Sequence, residues 1–120
     1  MTLDMRTFAA ATGTTMTLKA GSIVFSQGDP PGPMYVVQSG EIEVLVGDKV
    51  VDVCVANDAL GFMSMVDGGA RTTTARVKTD AEVSILDARK FRFMVDEVPN
   101  FAQYVMGEMA QRIRGLGAAL

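Results

Sequence analysis

The sequence contains no histidine and no tryptophan, and it has a single cysteine, Cys54. Without histidine the chain cannot assemble a Ser-His-Asp triad, a Cys-His pair or an imidazole-ligated metal site. These absences remove most classes of enzyme, so we predict a protein that is not an enzyme and carries no metal or cofactor. One cysteine allows no disulfide within the chain, and the apolar run VVDVCVA predicts that Cys54 is a small core residue.

The chain also lacks a basic excess and a long apolar run. Its 11 Lys and Arg against 14 Asp and Glu give a net charge of -3, whereas nucleic-acid binding needs a clustered basic face. No apolar run approaches the roughly 20 residues of a membrane helix. Asp4 and Arg6 interrupt the start, where a secretory signal would be apolar. We therefore expect a soluble cytoplasmic protein that binds neither DNA directly nor a membrane.

What the sequence does contain is enough apolar surface for one folded domain spanning 1-120. Hydrophobic residues make up 48% of 120 residues, which can offset the entropy of ordering the chain. Glycines separate short runs rich in Val, Ile, Thr and Tyr, a pattern typical of a sandwich or barrel. In EIEVLV, alternation places Ile42, Val44 and Val46 on one face, and Gly47-Asp48 predicts a hairpin turn.

Beyond Asp87 the apolar spacing becomes helical. A helix is predicted over RKFRFMVDEV, and a second follows from Pro99, because proline is tolerated in a first turn. On this last helix Glu108 and Arg112 form an i, i+4 pair. Its apolar stripe either packs on the sheets or partly seals a homodimer. The stripe contains Phe101, Val105, Met109, Ile113 and Leu116. A short helix is also expected near LDMRTFAAAT.

Three segments carry a resemblance to a known family. LKAGSIVFSQGD, MYVVQSGEIEV and NDALGFMSMVDGGARTTTARV together resemble the cyclic nucleotide-binding domain, the sensor domain of cAMP receptor protein-like regulators. The resemblance covers about 18 to 114. It implies a mainly β fold with C-terminal helices. That fold is an antiparallel β jelly roll (double-stranded β-helix) over about 15-87, followed by two α-helices over about 88-117.

The third segment lies where that family has its phosphate-binding cassette. A one-turn helix beginning near Gly61 would present unpaired N-H groups to an anion, and Arg71 can donate two parallel hydrogen bonds to a phosphate. The alternative is that Arg71 pairs with a loop carboxylate such as Asp67 and the glycines only make turns. The resemblance implies a ligand site for cAMP, cGMP or a related molecule. Its residues are Gly61, Phe62, Met63, Ser64, Arg71, Thr72, Thr73 and Arg112, the last one placed to stack on a base.

The cassette departs from the family at three positions. Phe62 replaces the usual glutamate, which accepts a hydrogen bond from the ribose 2'-hydroxyl, and losing a buried partner typically costs about 1 to 3 kcal/mol. The phenyl ring can also occupy the space of the sugar. Ala70 replaces a proline and Asn57 a glycine. The Asn57 change is mild because asparagine tolerates left-handed backbone.

Two functions therefore compete. The first is a regulatory module that binds a phosphate-bearing small molecule and alters how the last helices pack, which requires a ligand that prefers one arrangement. The second is a degenerate scaffold in which Phe62 plugs the pocket and the last helix dimerises or docks a partner. Because the chain ends at Leu120, soon after the last predicted helix, we expect the output to reside in a separate effector protein.

Overall fold

The computed structural model describes residues 3-115 of the chain. Eight strands and four helices follow one another along it. The strands are β1 Thr14–Leu18, β2 Ile23–Phe25, β3 Met34–Ser39, β4 Ile42–Val46, β5 Lys49–Cys54, β6 Ala59–Leu60, β7 Thr74–Val77 and β8 Ala81–Leu86. The helices are α1 Arg6–Thr12, α2 Phe62–Asp67, α3 Ala88–Glu97 and α4 Phe101–Gly115.

The strands form two four-stranded antiparallel sheets, with orders β1-β8-β3-β6 and β2-β7-β4-β5. Non-consecutive neighbours show that the chain crosses repeatedly between the sheets, as in a jelly roll. The predicted jelly roll followed by two C-terminal helices is confirmed, and so are the short helix near the start and the turn at Gly47-Asp48.

Two apolar clusters stabilise the arrangement. One contains Val37, Ile42, Val77 and other side chains contributed by both sheets. The second packs α1, α3 and α4 on the sheet that contains β3, and Phe101 is fully buried in it. Strand β3 contributes to both clusters because neighbouring strand residues point to opposite faces. The sheet nearest the helices is therefore apolar on both sides.

A β-bulge lies where β4 pairs with β5. The register shifts between Val44 and Leu45, and Val51 is the extra residue on β5. Because the extra residue is on β5, side chains continue to alternate along β4. Ile42 and Val44 are buried, whereas Val46 at the end of β4 is 43% exposed.

The helix ends follow from local chemistry. The side chain of Asp87 accepts a hydrogen bond of 2.8 Å from the backbone N-H of Lys90 and caps α3, a contact that satisfies a donor otherwise unpaired. Helix α4 begins at Phe101, two residues after the predicted Pro99. None of the helices in residues 3-115 is long and apolar enough to cross a bilayer.

Candidate functional site

Arg71 is held in place by the loop that follows β2. Its backbone N-H donates to the carbonyl of Asp29, and its own carbonyl accepts from the N-H of Gly28, both at 2.8 Å. The side chain runs inward and is only 6% exposed. The loop rich in proline and glycine therefore fixes where the guanidinium can reach.

The guanidinium of Arg71 joins three separate segments. Nη1 donates to the carbonyl of Gly61 at 3.0 Å and Nη2 to that of Pro33 at 2.7 Å. Its Cζ lies 4.1 Å from the centroid of the Phe25 ring, a favourable cation-π distance. Burial lowers the pKa of Arg71, although a guanidinium stays charged in proteins.

The alternative pairing of Arg71 with Asp67 is wrong. The Oδ1 atom of Asp67 accepts instead from the backbone N-H of Gly69 at 2.8 Å, next to the end of α2. This contact is an ordinary Asx-type turn. Arg71 is thus positioned by backbone carbonyls and an aromatic ring.

Two glycines leave the space that the guanidinium occupies. A Cβ atom at Gly32 would lie 2.6 Å from Nη2 of Arg71, and one at Gly61 would lie 2.6 Å from Nη1. Gly61 also has φ of 76°, in the left-handed region, which glycine adopts without steric cost. Any side chain at either position would displace the arginine.

The eight predicted site residues, 61-64, 71-73 and Arg112, all line one cavity of about 320 Å³. Ser64 is buried, and its hydroxyl donates to the carbonyl of Gly69 at 2.9 Å. The cavity also has lining residues that the sequence did not single out as site residues. These are Phe25, Val46, Val51, Met109 and Ile113. Met109 and Ile113 belong to the predicted apolar stripe, which was the available signal for them.

Phe62 does not fill this cavity. Its ring is 2% exposed and packs in the cluster that includes Met34 and Phe101. It forms the floor between that cluster and the cavity, with Cζ of Arg112 5.4 Å from its centroid. The ring thus lines the cavity without closing it, and whether it occupies the space of a sugar stays a prediction.

Helix α4 is tied to the roll by two polar side chains that meet at Ala59. Glu108 accepts a hydrogen bond from the N-H of Ala59, and Nη2 of Arg112 donates to its carbonyl at 3.1 Å. Nε of Arg112 also pairs with Asp52 at 2.9 Å. Within residues 3-115 the ion pair of Arg112 is therefore with β5, and the predicted Glu108-Arg112 pair is wrong.

Burial changes the acid-base properties of this contact. Glu108 is only 9% exposed, and burial raises its pKa from 4.5 to about 7, with the N-H of Ala59 acting in the opposite direction. Cys54 lies nearby and is 1% exposed, as expected of a core residue. Burial raises the pKa of Cys54 to about 12, so its thiol is inert at neutral pH.

The first half of the predicted apolar stripe on α4 packs against the rest of the chain. Phe101 and Val105 are buried in the cluster under the helices, and Met109 packs against it. Ile113 is 37% exposed at the edge of the cavity. Leu116 lies outside the described residues. Packing on the sheets therefore accounts for the first half of the stripe. A homodimer through Phe101, Val105, Met109 and Ile113 stays a prediction.

The two sheets, the short helix α2 and the cavity bordered by α4 define a β-roll with a candidate ligand site. A family model described as the cyclic nucleotide-binding domain matches residues 15-98. The chain belongs to the cyclic nucleotide-binding domain family.

Several known proteins are similar to this chain. A cGMP-dependent protein kinase of Eimeria tenella is 34% identical over 90 residues, which are 72% of this chain and 9% of the kinase. A CRP-like cAMP-activated global transcriptional regulator of Mycobacterium tuberculosis is 25% identical over 101 residues, which are 78% of this chain and 44% of the regulator. The chain thus spans less than half the length of either relative.

Solved structures share the fold. A structure from a cyclic-GMP-dependent signalling pathway that regulates bacterial phytopathogenesis has a TM-score of 0.82 at 21% identity, covering 95% of both chains. The Thermus thermophilus catabolite activator protein has a TM-score of 0.79 at 22% identity, covering 92% of this chain and 55% of that one. These likenesses establish the jelly-roll architecture.

Proposed function

We propose that this chain is a non-enzymatic regulatory module that binds a phosphate-bearing small molecule, a cyclic nucleotide or a related compound, in the cavity beside Arg71. The observation that carries the proposal is a buried guanidinium held at the wall of a cavity of about 320 Å³. Arginine has five N-H donors, and the hydrogen bonds to Gly61 and Pro33 use two of them. The other N-H groups of Arg71 remain available to bind an anion.

The surroundings of Arg71 favour an anionic ligand. Ser64, Thr72 and Thr73 line the same cavity. The hydroxyl of Ser64 already donates to Gly69, whereas a threonine hydroxyl such as those of Thr72 and Thr73 can donate to a phosphate oxygen. The residues that begin α2 also line it, so their N-H groups border the same space. Charge-assisted bonds in a partly buried site are about twice as strong as neutral ones.

A ligand there would touch Arg112 as well as Arg71, because both line the cavity. Arg112 also joins α4 to Ala59 and Asp52. A ligand that binds Arg112 would compete with those contacts and so shift how α4 is docked. A separate effector protein would read that shift.

The test is calorimetric titration with cAMP and cGMP, comparing Arg71→Lys with wild type. Lysine keeps the charge but loses the planar fork, and we expect affinity to fall at least about tenfold. Arg76→Lys is the matched control, because Arg76 on β7 pairs with Glu43 on β4 at 3.1 Å and does not line the cavity. This variant should leave the affinity for both nucleotides unchanged.

A second candidate is the scaffold that binds no nucleotide. It is favoured by one observation: the guanidinium of Arg71 already has two carbonyl partners and an aromatic ring in the absence of a ligand. Under this hypothesis Arg71→Lys lowers the melting temperature, and wild type shows no heat with either nucleotide at millimolar concentration. That pair of results would replace the first proposal with the second.

A further inference from the structure

The cavity is lined by two kinds of side chain. One group is charged or polar and comprises Arg71, Arg112, Ser64, Thr72 and Thr73, and the other, which we call the apolar wall, is hydrophobic. The apolar wall contains Val46, Val51, Met63, Met109 and Ile113. Among the described residues that line the cavity, none is aspartate or glutamate.

Two paired strands contribute to the apolar lining. Val46 ends β4, and Val51 is the extra residue of the bulge on β5. Both line the cavity, and bulges are common beside binding sites.

The rim of the cavity exposes apolar surface to water. Val46 is 43% exposed, Met63 36% and Ile113 37%, and the three belong to three different elements. Exposed apolar groups that converge on one concavity are typical of a surface covered by a ligand. A purely polar anion such as inorganic phosphate would leave this rim uncovered.

We infer that the site recognises the phosphate and one apolar face of its ligand, and that it does not recognise a sugar hydroxyl. The inference rests on the proposed function. A ligand hydroxyl gains most from a carboxylate acceptor, and the lining supplies none. The carbonyl of Gly61 already accepts from Arg71. A 2'-hydroxyl would therefore lose its water without a charged partner.

The experiment measures Kd for cAMP and for 3',5'-cyclic 2'-deoxyadenosine monophosphate on the wild-type chain. We expect the two constants to agree within about threefold, because the hydroxyl exchanges water for at most a neutral partner. A ribonucleotide that binds at least about tenfold more tightly than its deoxy analogue overturns the inference. If that preference depends on Arg71, the proposed function survives. If neither compound binds, the proposed function fails and this inference fails with it.

The apolar wall has its own test. Ile113→Ser should weaken both nucleotides about tenfold, since it removes apolar surface that the ligand covers. Met106→Ser is the matched control, because Met106 lies on the same helix, is 60% exposed and does not line this cavity. Equal affinities of the two variants, each with an unchanged melting temperature, would overturn the apolar contact.

Discussion

Replacing Glu108 by glutamine should remove most of the pH dependence of stability between about pH 5 and pH 8. Glutamine keeps an oxygen that can accept the hydrogen bond from Ala59, but it carries no charge. In the wild type, burial raises the pKa of Glu108 to about 7, and Asp58 and Asp52 add to this while Arg112 opposes it. The folded chain therefore binds the proton of Glu108 more tightly than the unfolded chain.

The sign follows from that difference. Stability contributed by protonated Glu108 is fully present below its unfolded pKa of 4.5, and it is lost as pH rises through about 7. One pKa unit corresponds to about 1.4 kcal/mol, so the full effect is about 3 kcal/mol. Glu108 borders two surface grooves, and we discount the effect to about 1 to 2 kcal/mol because water screens the charge there.

The assay is urea unfolding followed by circular dichroism at several pH values. The two proteins should match near pH 5, and Glu108→Gln should be about 1 to 2 kcal/mol more stable near pH 8. Glu82→Gln, at an exposed position on β8, is the control and should parallel wild type. If the difference between wild type and Glu108→Gln is constant across the range, or if glutamine destabilises the chain near pH 8, the account of the α4 contact is refuted.

Further predictions concern the packing around the site. Gly61→Ala should lower the melting temperature more than Gly68→Ala and weaken nucleotide binding. Both glycines have positive φ, but a Cβ at Gly61 meets Arg71 at 2.6 Å whereas one at Gly68 meets nothing within 4 Å; equal losses would contradict this. Cys54 should resist alkylation at pH 8 until urea unfolds the chain, since burial raises its pKa to about 12, and fast labelling under native conditions would show that this region opens. Arg112→Ala should destabilise the chain by about 2 kcal/mol, because it breaks an ion pair and removes the stronger of two donors to the carbonyl of Ala59, leaving the Cys54 thiol; limited proteolysis should then cut α4 sooner than in wild type.

The parts of the fold that local chemistry specifies could be predicted from the sequence. Gly47-Asp48 makes a hairpin because only a few residue pairs suit that turn, and Asn57 adopts φ of 76° where the family has glycine. The stripe beginning at Phe101 predicted α4 because its spacing repeats with the helix. Each of these signals lies within a few neighbouring residues.

What could not be predicted depends on segments far apart in the chain. The bulge at Val51 arises from the pairing of β4 with β5, and no residue type in KVVDVC indicates it. The i, i+4 spacing of Glu108 and Arg112 was compatible with a surface pair. Only the folded chain shows that the backbone of Ala59 lies within reach of both.

The location of Arg71 makes it both a structural residue and a candidate ligand-binding residue. A substitution there can therefore change the stability of the fold and the affinity for the ligand together. Its guanidinium joins the loop at Pro33, the start of α2 at Gly61 and the ring of Phe25. Alanine would remove the donor from two carbonyls and remove a cation-π contact, so binding would be lost in that variant even if Arg71 only maintained the shape of the cavity. A planar fork has donors in fixed directions. The same contacts that stabilise the roll therefore also fix the orientation of the remaining N-H donors, and such pre-organisation lowers the entropic cost of binding an anion.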